Sequence, residues 1–176
     1  PLGFPGGDGH AIPEYNPEKA KELLAAAGLA DGFTLESIYP DLNVYGVDFS
    51  IMMQKIQQDL SKVGITVNLS PVPFANWREA ANGDHIPLTA VFFAPDFFGT
   101  SQYVDVFGMS EGTVWAKRAG GGTDASIINP RPLELKAQAL AASTPEEAEK
   151  LWSEAATEMI NNKIIIPMVS PDLILA

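Results

Sequence analysis

The sequence contains no cysteine, which excludes disulfide scaffolds, cysteine-ligated zinc and thiol chemistry. Histidine occurs only at His10 and His85, which lack metal-ligand spacing, so we expect neither a metal site nor a cofactor. Basic residues are also scarce: 11 Lys and Arg stand against 22 Asp and Glu, for a formal net charge of −11. Nucleic acids and anionic membranes attract clustered Lys and Arg, so this balance argues against both and mildly favours a neutral or cationic ligand.

Long apolar runs are absent too, since no stretch approaches the ~20 residues of a transmembrane helix. The 176 residues are 46% hydrophobic and 19% charged, which is typical of a globular chain with one domain or two small ones. The chain starts at Pro1 without a signal peptide, so we expect a mature or excised piece of a longer protein.

Hydrophobic periodicity predicts alternating helices and strands. Asn16 followed by Pro17 predicts a capped helix start, and Thr144 followed by Pro145 predicts another. The predicted helices begin near residues 17, 47, 74, 130 and 145, and the predicted strands cover 33–39, 65–70, 88–94 and 164–169. This order indicates an α/β fold with a mostly parallel sheet flanked by helices. We expect an irregular lead-in over residues 1–15, followed by a single α/β unit over residues 16–170.

The same periodicity predicts which side chains face the core. Two predicted apolar stripes are formed by Ala20, Leu23, Leu24 and Ala27 in the first helix, and by Leu133, Ala137 and Leu140 in the fourth. Trp77 and Trp152 lie on amphipathic helix faces and are predicted to be core residues.

One acidic residue stands at the end of the most apolar predicted strand. Pro95 stops this strand because proline has no N–H for the sheet ladder, and Asp96 follows, flanked by Phe97 and Phe98. A carboxylate ringed by aromatics there could hold a cation or an amine. The alternative is that Asp96 caps the next turn and the phenylalanines belong to the core.

Loops at the carboxyl ends of parallel strands are the expected ligand sites of such a fold. Residues 39–45 and 95–100 form two such loops, and they bring aromatic faces, acids and the amide of Asn43 to one edge. Tyr39 and Tyr45 have the alternative of ordinary rim packing. Trp115, close to Arg118 in an irregular stretch, is a further candidate for ligand contact.

Catalytic motifs are weak. Residues 108–112 match the G-x-S-x-G pattern around Ser110, but the fold that uses this motif requires a histidine later in the chain, and both histidines precede it. The glycine run at 120–122 lacks the Lys and Ser/Thr of a phosphate loop. A small hydrolase using Ser110 or a pair of carboxylates remains the alternative to a binding protein.

Several segments resemble family 5 of the solute-binding proteins, the dipeptide-, oligopeptide- and nickel-type receptors of ABC importers. Residues 15–28 read YNPEKAKELLAAAG and resemble the family pattern Y-[DN]-P-E-K-A-[KR]-x-L-L-x-x-A-G. Residues 56–67 resemble I-Q-x-x-L-x-x-[IV]-G-I-x-V, residues 93–97 occupy the place of W-x-x-D-Y, and residues 152–167 resemble the closing helix and I-P strand. The resemblance spans nearly all of residues 15–169 in the family's order.

This resemblance implies that residues 16–170 are most of the second lobe of a type II periplasmic-binding-protein fold, with a ligand closed between two lobes. It also implies that residues 171–176 start the segment that returns to the first lobe. It implies no enzymatic activity, an extracytoplasmic location and three partners: a small-molecule or peptide ligand, the first lobe, and the permease subunits. In peptide-binding members the aspartate of W-x-x-D-Y pairs with the ligand's amino terminus, a role that Asp96 would take. Two departures, Phe93 for tryptophan and Gly99-Thr100 for Asp-Pro, leave a sugar or another solute open. The predicted ligand-binding residues are Asp96, Phe93, Phe97, Phe98, Tyr39, Asn43, Tyr45, Trp115 and Arg118.

Overall fold

A computed structural model describes residues 14–83, 86–93, 99–105, 130–161 and 166–168. The chain divides into two compact units. One holds the described residues from Glu14 to Phe93, and the other holds those from Gly99 to Met168.

The first unit contains a parallel strand pair with helices before, between and after its strands. Its elements are α1 (Pro17–Ala26), β1 (Phe33–Pro40), β2 (Asn43–Val44), β3 (Val47–Asp48), α2 (Phe49–Ser61), β4 (Ile65–Val72) and α3 (Phe74–Asn82). β1 and β4 pair in parallel over their whole length, from Phe33 opposite Ile65 to Pro40 opposite Val72. The predicted strand–helix–strand unit is therefore confirmed, with α2 as its crossover.

The strand predicted over residues 88–94 is wrong for the part that the structure describes. Only one bridge forms there, where Leu88 pairs in parallel with Ser37 of β1. The next residue explains the interruption, because the Thr89 hydroxyl donates to the Ile38 carbonyl at 2.6 Å. The Ile38 carbonyl of β1 therefore accepts a hydrogen bond from a side chain, where a continuous sheet would place a backbone N–H.

The core of the first unit lies between the sheet and α2. Its buried members are Tyr39, Phe49 and Met53, and Met52, Ile56, Leu69, Leu88 and Phe92 are among the partly buried residues that pack against them. The predicted stripe of α1 is only partly right, because Ala20 and Leu24 are half-buried but Leu23 is 59% exposed. No side chain of α1 is fully buried, since this helix joins neither core cluster of the described residues.

The second unit is helical in its described part, with α4 (Ser101–Val104), α5 (Pro130–Leu140) and α6 (Pro145–Asn161). Its core cluster consists of Val104, Leu135, Ala139, Trp152, Ala155, Ala156 and Met159. The predicted stripe of α5 is wrong at two positions: Ala137 and Leu140 are exposed, and Leu140 is 71% accessible. The buried face of α5 runs instead through Pro132, Leu135 and Ala139, with Leu133 at its margin.

Residues 166–168 belong to the strand predicted over 164–169. The structure assigns them no strand, and Ile166 and Met168 are exposed. The strand prediction is therefore wrong for these three residues, and neither Ile166 nor Met168 belongs to a core cluster of the described residues.

Candidate functional site

The carboxyl ends of β1 and β4 lie side by side, because Pro40 pairs with Val72 in the parallel register. The chain leaves β1 into the loop 41–48 and leaves β4 through Pro73 into α3. Ligands of open parallel sheets bind at this end of the strands, where side chains from separate loops converge. We call this end, with the loops that leave it, the carboxyl edge.

A small hairpin lies on the carboxyl edge and is bonded to two other elements, β4 and α2. The backbone N–H of Asp41 donates to the Val72 carbonyl at 2.8 Å, which joins the loop to the end of β4. Phe49 N–H donates to the Leu42 carbonyl at 3.0 Å, which joins the loop to the start of α2. Within the hairpin, Asn43 pairs with Asp48, and the Asp48 carboxylate caps α2 by accepting from the Ile51 N–H at 3.0 Å. The hairpin base is therefore held at both ends.

The tip of the hairpin is the two-residue turn Tyr45-Gly46. Both residues have positive φ, 53° at Tyr45 and 79° at Gly46, as in a type I′ turn. Among the described residues Tyr45 is the one non-glycine with positive φ, and its side chain is 50% exposed. The predicted site residues Asn43 and Tyr45 thus lie in one hairpin, on the solvent-accessible part of the edge.

Tyr39 lies beneath this hairpin rather than on its surface. Its side chain is 2% exposed and belongs to the core cluster, and its hydroxyl donates to Ser50 Oγ at 3.3 Å. Ser50 Oγ in turn donates to Asp41 Oδ1 at 3.4 Å. The ring therefore supports the loop from below, and its direct contact with a ligand stays a prediction that requires its neighbours to move.

Aromatic side chains from α3 and from residues 92–93 form a second part of the edge. The Phe74 ring stacks on Trp77, with centroids 5.4 Å apart, and packs against Phe92 at 6.2 Å. Phe74 is 38% exposed, whereas the other two rings are buried or half-buried. The Trp77 indole N–H donates to Thr89 Oγ1 at 2.8 Å. This bond fixes the three aromatic rings to the segment that contains the half-buried Phe93.

Sequence reasoning misses Phe74 and Phe92 as site candidates. The helical pattern predicts that Phe74 faces the core with Trp77, and the signal that could have found it is its position directly after Pro73 at a strand end. The structure brings Tyr39, Asn43, Tyr45 and Phe93 into the first unit. The other predicted site residues, together with Ser110 of the alternative hydrolase, lie outside the described residues: Asp96, Phe97, Phe98, Trp115 and Arg118.

The second unit contains a carboxylate that caps a helix. Glu149 of α6 accepts from the backbone N–H of Thr100 at 3.2 Å and from its hydroxyl, and Thr100 is fully buried at the start of α4. A negative charge there is favourable because the N-terminal N–H groups of a helix lack intrahelical partners. Lys136 of α5 donates to Asp105 directly after α4, so both ends of this short helix are held by charged side chains.

A cluster of charged side chains lies on α2, where Asp59 is partly buried between two exposed lysines. Lys55 and Lys62 both donate to the Asp59 carboxylate, at 2.5 and 2.8 Å, and lower its pKa to about 2. Asp59 in turn raises the pKa of Lys62, which also donates to the Tyr15 hydroxyl at 3.0 Å and lies 5.4 Å from its ring centroid. This cluster joins the segment before α1 to the end of α2.

Neither a metal site nor a membrane span is found in the described ranges. No group of three or more His, Asp or Glu side chains there could hold a metal ion. No helix within those ranges is both long and apolar enough to cross a membrane.

Comparison with known proteins identifies the family. The model of the bacterial extracellular solute-binding proteins, family 5 Middle, matches residues 1–114. This chain belongs to that family. The resemblance that the sequence motifs indicated is therefore confirmed, and so is the fold class, since the structural relatives have type II periplasmic-binding folds.

Two sequence relatives and one solved structure illustrate the likeness to other family 5 proteins. Heme-binding protein A of Haemophilus influenzae is 28% identical over 155 residues, or 88% of this chain. The dipeptide-binding protein of Escherichia coli is 34% identical over 73 residues, or 40% of this chain. The structure of HbpA2 from Haemophilus parasuis superposes with a TM-score of 0.76 at 20% identity and covers 93% of this chain.

The family 5 chain spans only part of each relative. It covers 27% of heme-binding protein A, 14% of the dipeptide-binding protein and 32% of the HbpA2 chain. Family 5 proteins are extracytoplasmic binding proteins that work with ABC importers. These relatives are transport proteins and not enzymes.

Proposed function

We propose that this chain forms the solute-capturing part of an ABC importer's receptor, with the solute held against the carboxyl edge. The observation that carries the proposal is family membership, because family 5 proteins bind solutes for import. The geometry supports it: an anchored hairpin and an aromatic group stand at the end of a parallel sheet, where α/β folds bind ligands.

The proposed solute is a peptide or a related small polar molecule with an apolar part. Two relatives carry the names of heme- and dipeptide-binding proteins, and the net charge of −11 favours a neutral or cationic ligand. Asp96 would supply the negative charge for an amine, since it follows Phe93 by only three positions in the sequence. Phe93, Phe97 and Phe98 would supply apolar walls, and Trp115 and Arg118 further contacts.

The proposed mechanism is capture by closure of two bodies around the solute. The chain covers about a third of a solved relative, so the rest of the protein would supply the facing wall. A ligand that contacts both walls favours the closed state by its differential affinity for that state. The closed receptor would then dock on the permease subunits outside the cytoplasm.

Native mass spectrometry of the full-length protein, purified without stripping, tests the proposal first. We expect a bound solute, which isothermal titration then measures against the wild type and Asp96→Ala. Loss of the charge partner should weaken an amine-bearing solute by more than ~1 kcal/mol. Asp31→Asn is the matched control, because Asp31 is exposed in the turn before β1. Unchanged affinity in Asp96→Ala would remove Asp96 from the site.

A further inference from the structure

The turn at Tyr45-Gly46 carries a residue that is unfavourable for its backbone. A type I′ turn requires positive φ at both central residues, and asparagine and glycine are the residues that meet this requirement at least cost. Tyrosine at the first of these positions has φ 53° and keeps half of its side chain in solvent. Turn chemistry does not account for this choice of residue, and Tyr45 belongs to neither core cluster of the described residues.

The surroundings of the tip show that its position is fixed. The hairpin base bonds to the end of β4 through Asp41 and to α2 through Leu42 and Asp48. Beneath it, the buried Tyr39 hydroxyl reaches Asp41 through Ser50. A ring displayed on such a base loses little conformational freedom when it contacts a ligand, which is the energetic advantage of preorganisation.

We propose that Tyr45 is a specificity-determining residue that selects solutes carrying a planar ring, by stacking its own ring on that group. The inference rests on the proposed function, because it places the solute at the carboxyl edge. An exposed aromatic side chain provides a flat apolar face, and stacked ring pairs prefer centroid separations of about 4.5–7 Å. Asn43, exposed in the same hairpin, offers amide groups to the polar part of the solute.

The variant Tyr45→Asn tests the contribution of the ring without disturbing the fold. Asparagine tolerates the left-handed conformation, so this variant should keep the hairpin and raise the melting temperature while it removes the ring. Tyr45→Phe keeps the ring and removes only the hydroxyl. Both variants are made in the full-length protein. Isothermal titration then uses two matched pairs of probes, Ala-Ala with Ala-Phe and galactose with phenyl β-galactoside.

We expect the wild type and Tyr45→Phe to prefer the ring-bearing member of a pair by about fivefold, and Tyr45→Asn to lose this preference. The loss of affinity in Tyr45→Asn should fall mainly on the ring-bearing member of each pair. If Tyr45→Asn keeps the preference, or weakens both members equally, the ring does not select the solute and the inference is overturned while the proposed function stands. If no probe binds the wild type, the proposal of a peptide or related solute and this inference both fail.

Discussion

Gly32 approaches Gly64 so closely that a Cβ atom on Gly32 would lie 2.0 Å from the Gly64 carbonyl oxygen. The two glycines immediately precede β1 and β4, so their contact lies at the start of the parallel pair. Gly32 also has a φ of 76°, a conformation that residues with a Cβ atom adopt at a cost. Close approach and left-handed backbone thus coincide at one position.

Gly32→Ala should lower the free energy of unfolding by about 2–4 kcal/mol, because it combines backbone strain with a backbone clash. Gly28→Ala is the matched control: Gly28 has the same φ of 76°, but a Cβ atom added there would meet no atom within 4 Å. The control should lose only about 1 kcal/mol. Urea denaturation of both variants measures the difference. Equal losses of unfolding free energy would show that the close contact with Gly64 does not add to the destabilisation.

Ser37→Ala should leave the unfolding free energy unchanged or raise it by about 1 kcal/mol. Ser37 is fully buried in β1, and its hydroxyl has no hydrogen-bond partner among the described residues. Ser50→Ala is the comparison, since the Ser50 hydroxyl joins Tyr39 to Asp41 and its loss should cost about 1 kcal/mol. A loss of thermal stability in Ser50→Ala alone would support this difference. A clear loss in Ser37→Ala would mean that its hydroxyl is bonded.

Glu149→Gln should destabilise the second unit by about 1–2 kcal/mol, because the buried Thr100 N–H and hydroxyl both donate to this carboxylate. An amide keeps the shape but loses the charge that favours the helix N-terminus. Glu146→Gln serves as the control, since Glu146 is exposed one turn earlier on α6. Hydrogen exchange at Thr100 should speed up in Glu149→Gln alone. Equal exchange in both variants would exclude the capping role.

Asp59 should give the protein a measurable acid dependence. Its folded pKa of about 2 lies below the ordinary value of 3.8, because Lys55 and Lys62 donate to it. A depressed pKa contributes stability that is complete above the ordinary value and is lost as pH falls towards the folded one. The stability gap between wild type and Asp59→Asn should therefore be constant above about pH 5 and shrink between about pH 4 and pH 2. Carboxyl NMR shifts measure the pKa directly, and a midpoint near 3.8 would contradict the ion pairs.

Helix starts are predictable from the sequence because caps depend on a few adjacent residues. Asn16 Oδ1 accepts from the Lys19 N–H at 2.8 Å, with Pro17 at the first helical position, as the sequence predicts. At the second capped start that the sequence predicts, Thr144 Oγ1 accepts from the Glu147 N–H at 3.2 Å. The Glu147 side chain accepts from the Ser143 N–H, one residue before the partner that a capping box uses.

The features that the sequence does not predict depend on contacts remote along the chain. The hairpin 43–48 escapes prediction because Tyr45-Gly46 lacks the Asn-Gly signal, and because periodicity places Val47 in the following helix. Residues 88–93 have the composition of a buried strand, but Thr89 bonds to β1 through its side chain. Leu23 and Leu140 fit helical stripes, yet exposure depends on whether another element covers them.

For the candidate site, the sequence predicts which residues lie in the loop after β1 but not the position of each side chain. The rule for parallel sheets selects the loop after β1, and Asn43 and Tyr45 lie there. The same rule selects Tyr39, but strand alternation turns its ring into the core, because Ser37 and Tyr39 share the buried face. The role of Asp96 stays a prediction.

Paired residues of β1 and β4 are always 32 positions apart in the sequence. The same separation holds for Asn68 and Glu36, whose side chains share a hydrogen bond. Short and uniform separations lower both the entropy of loop closure and the contact order, and low contact order accompanies rapid folding. A nascent chain that has released Val72 from the ribosome already holds both strands and their crossover helix. We therefore expect this ladder to begin forming during synthesis, with Leu88, Ala90 and Phe92 completing its core later.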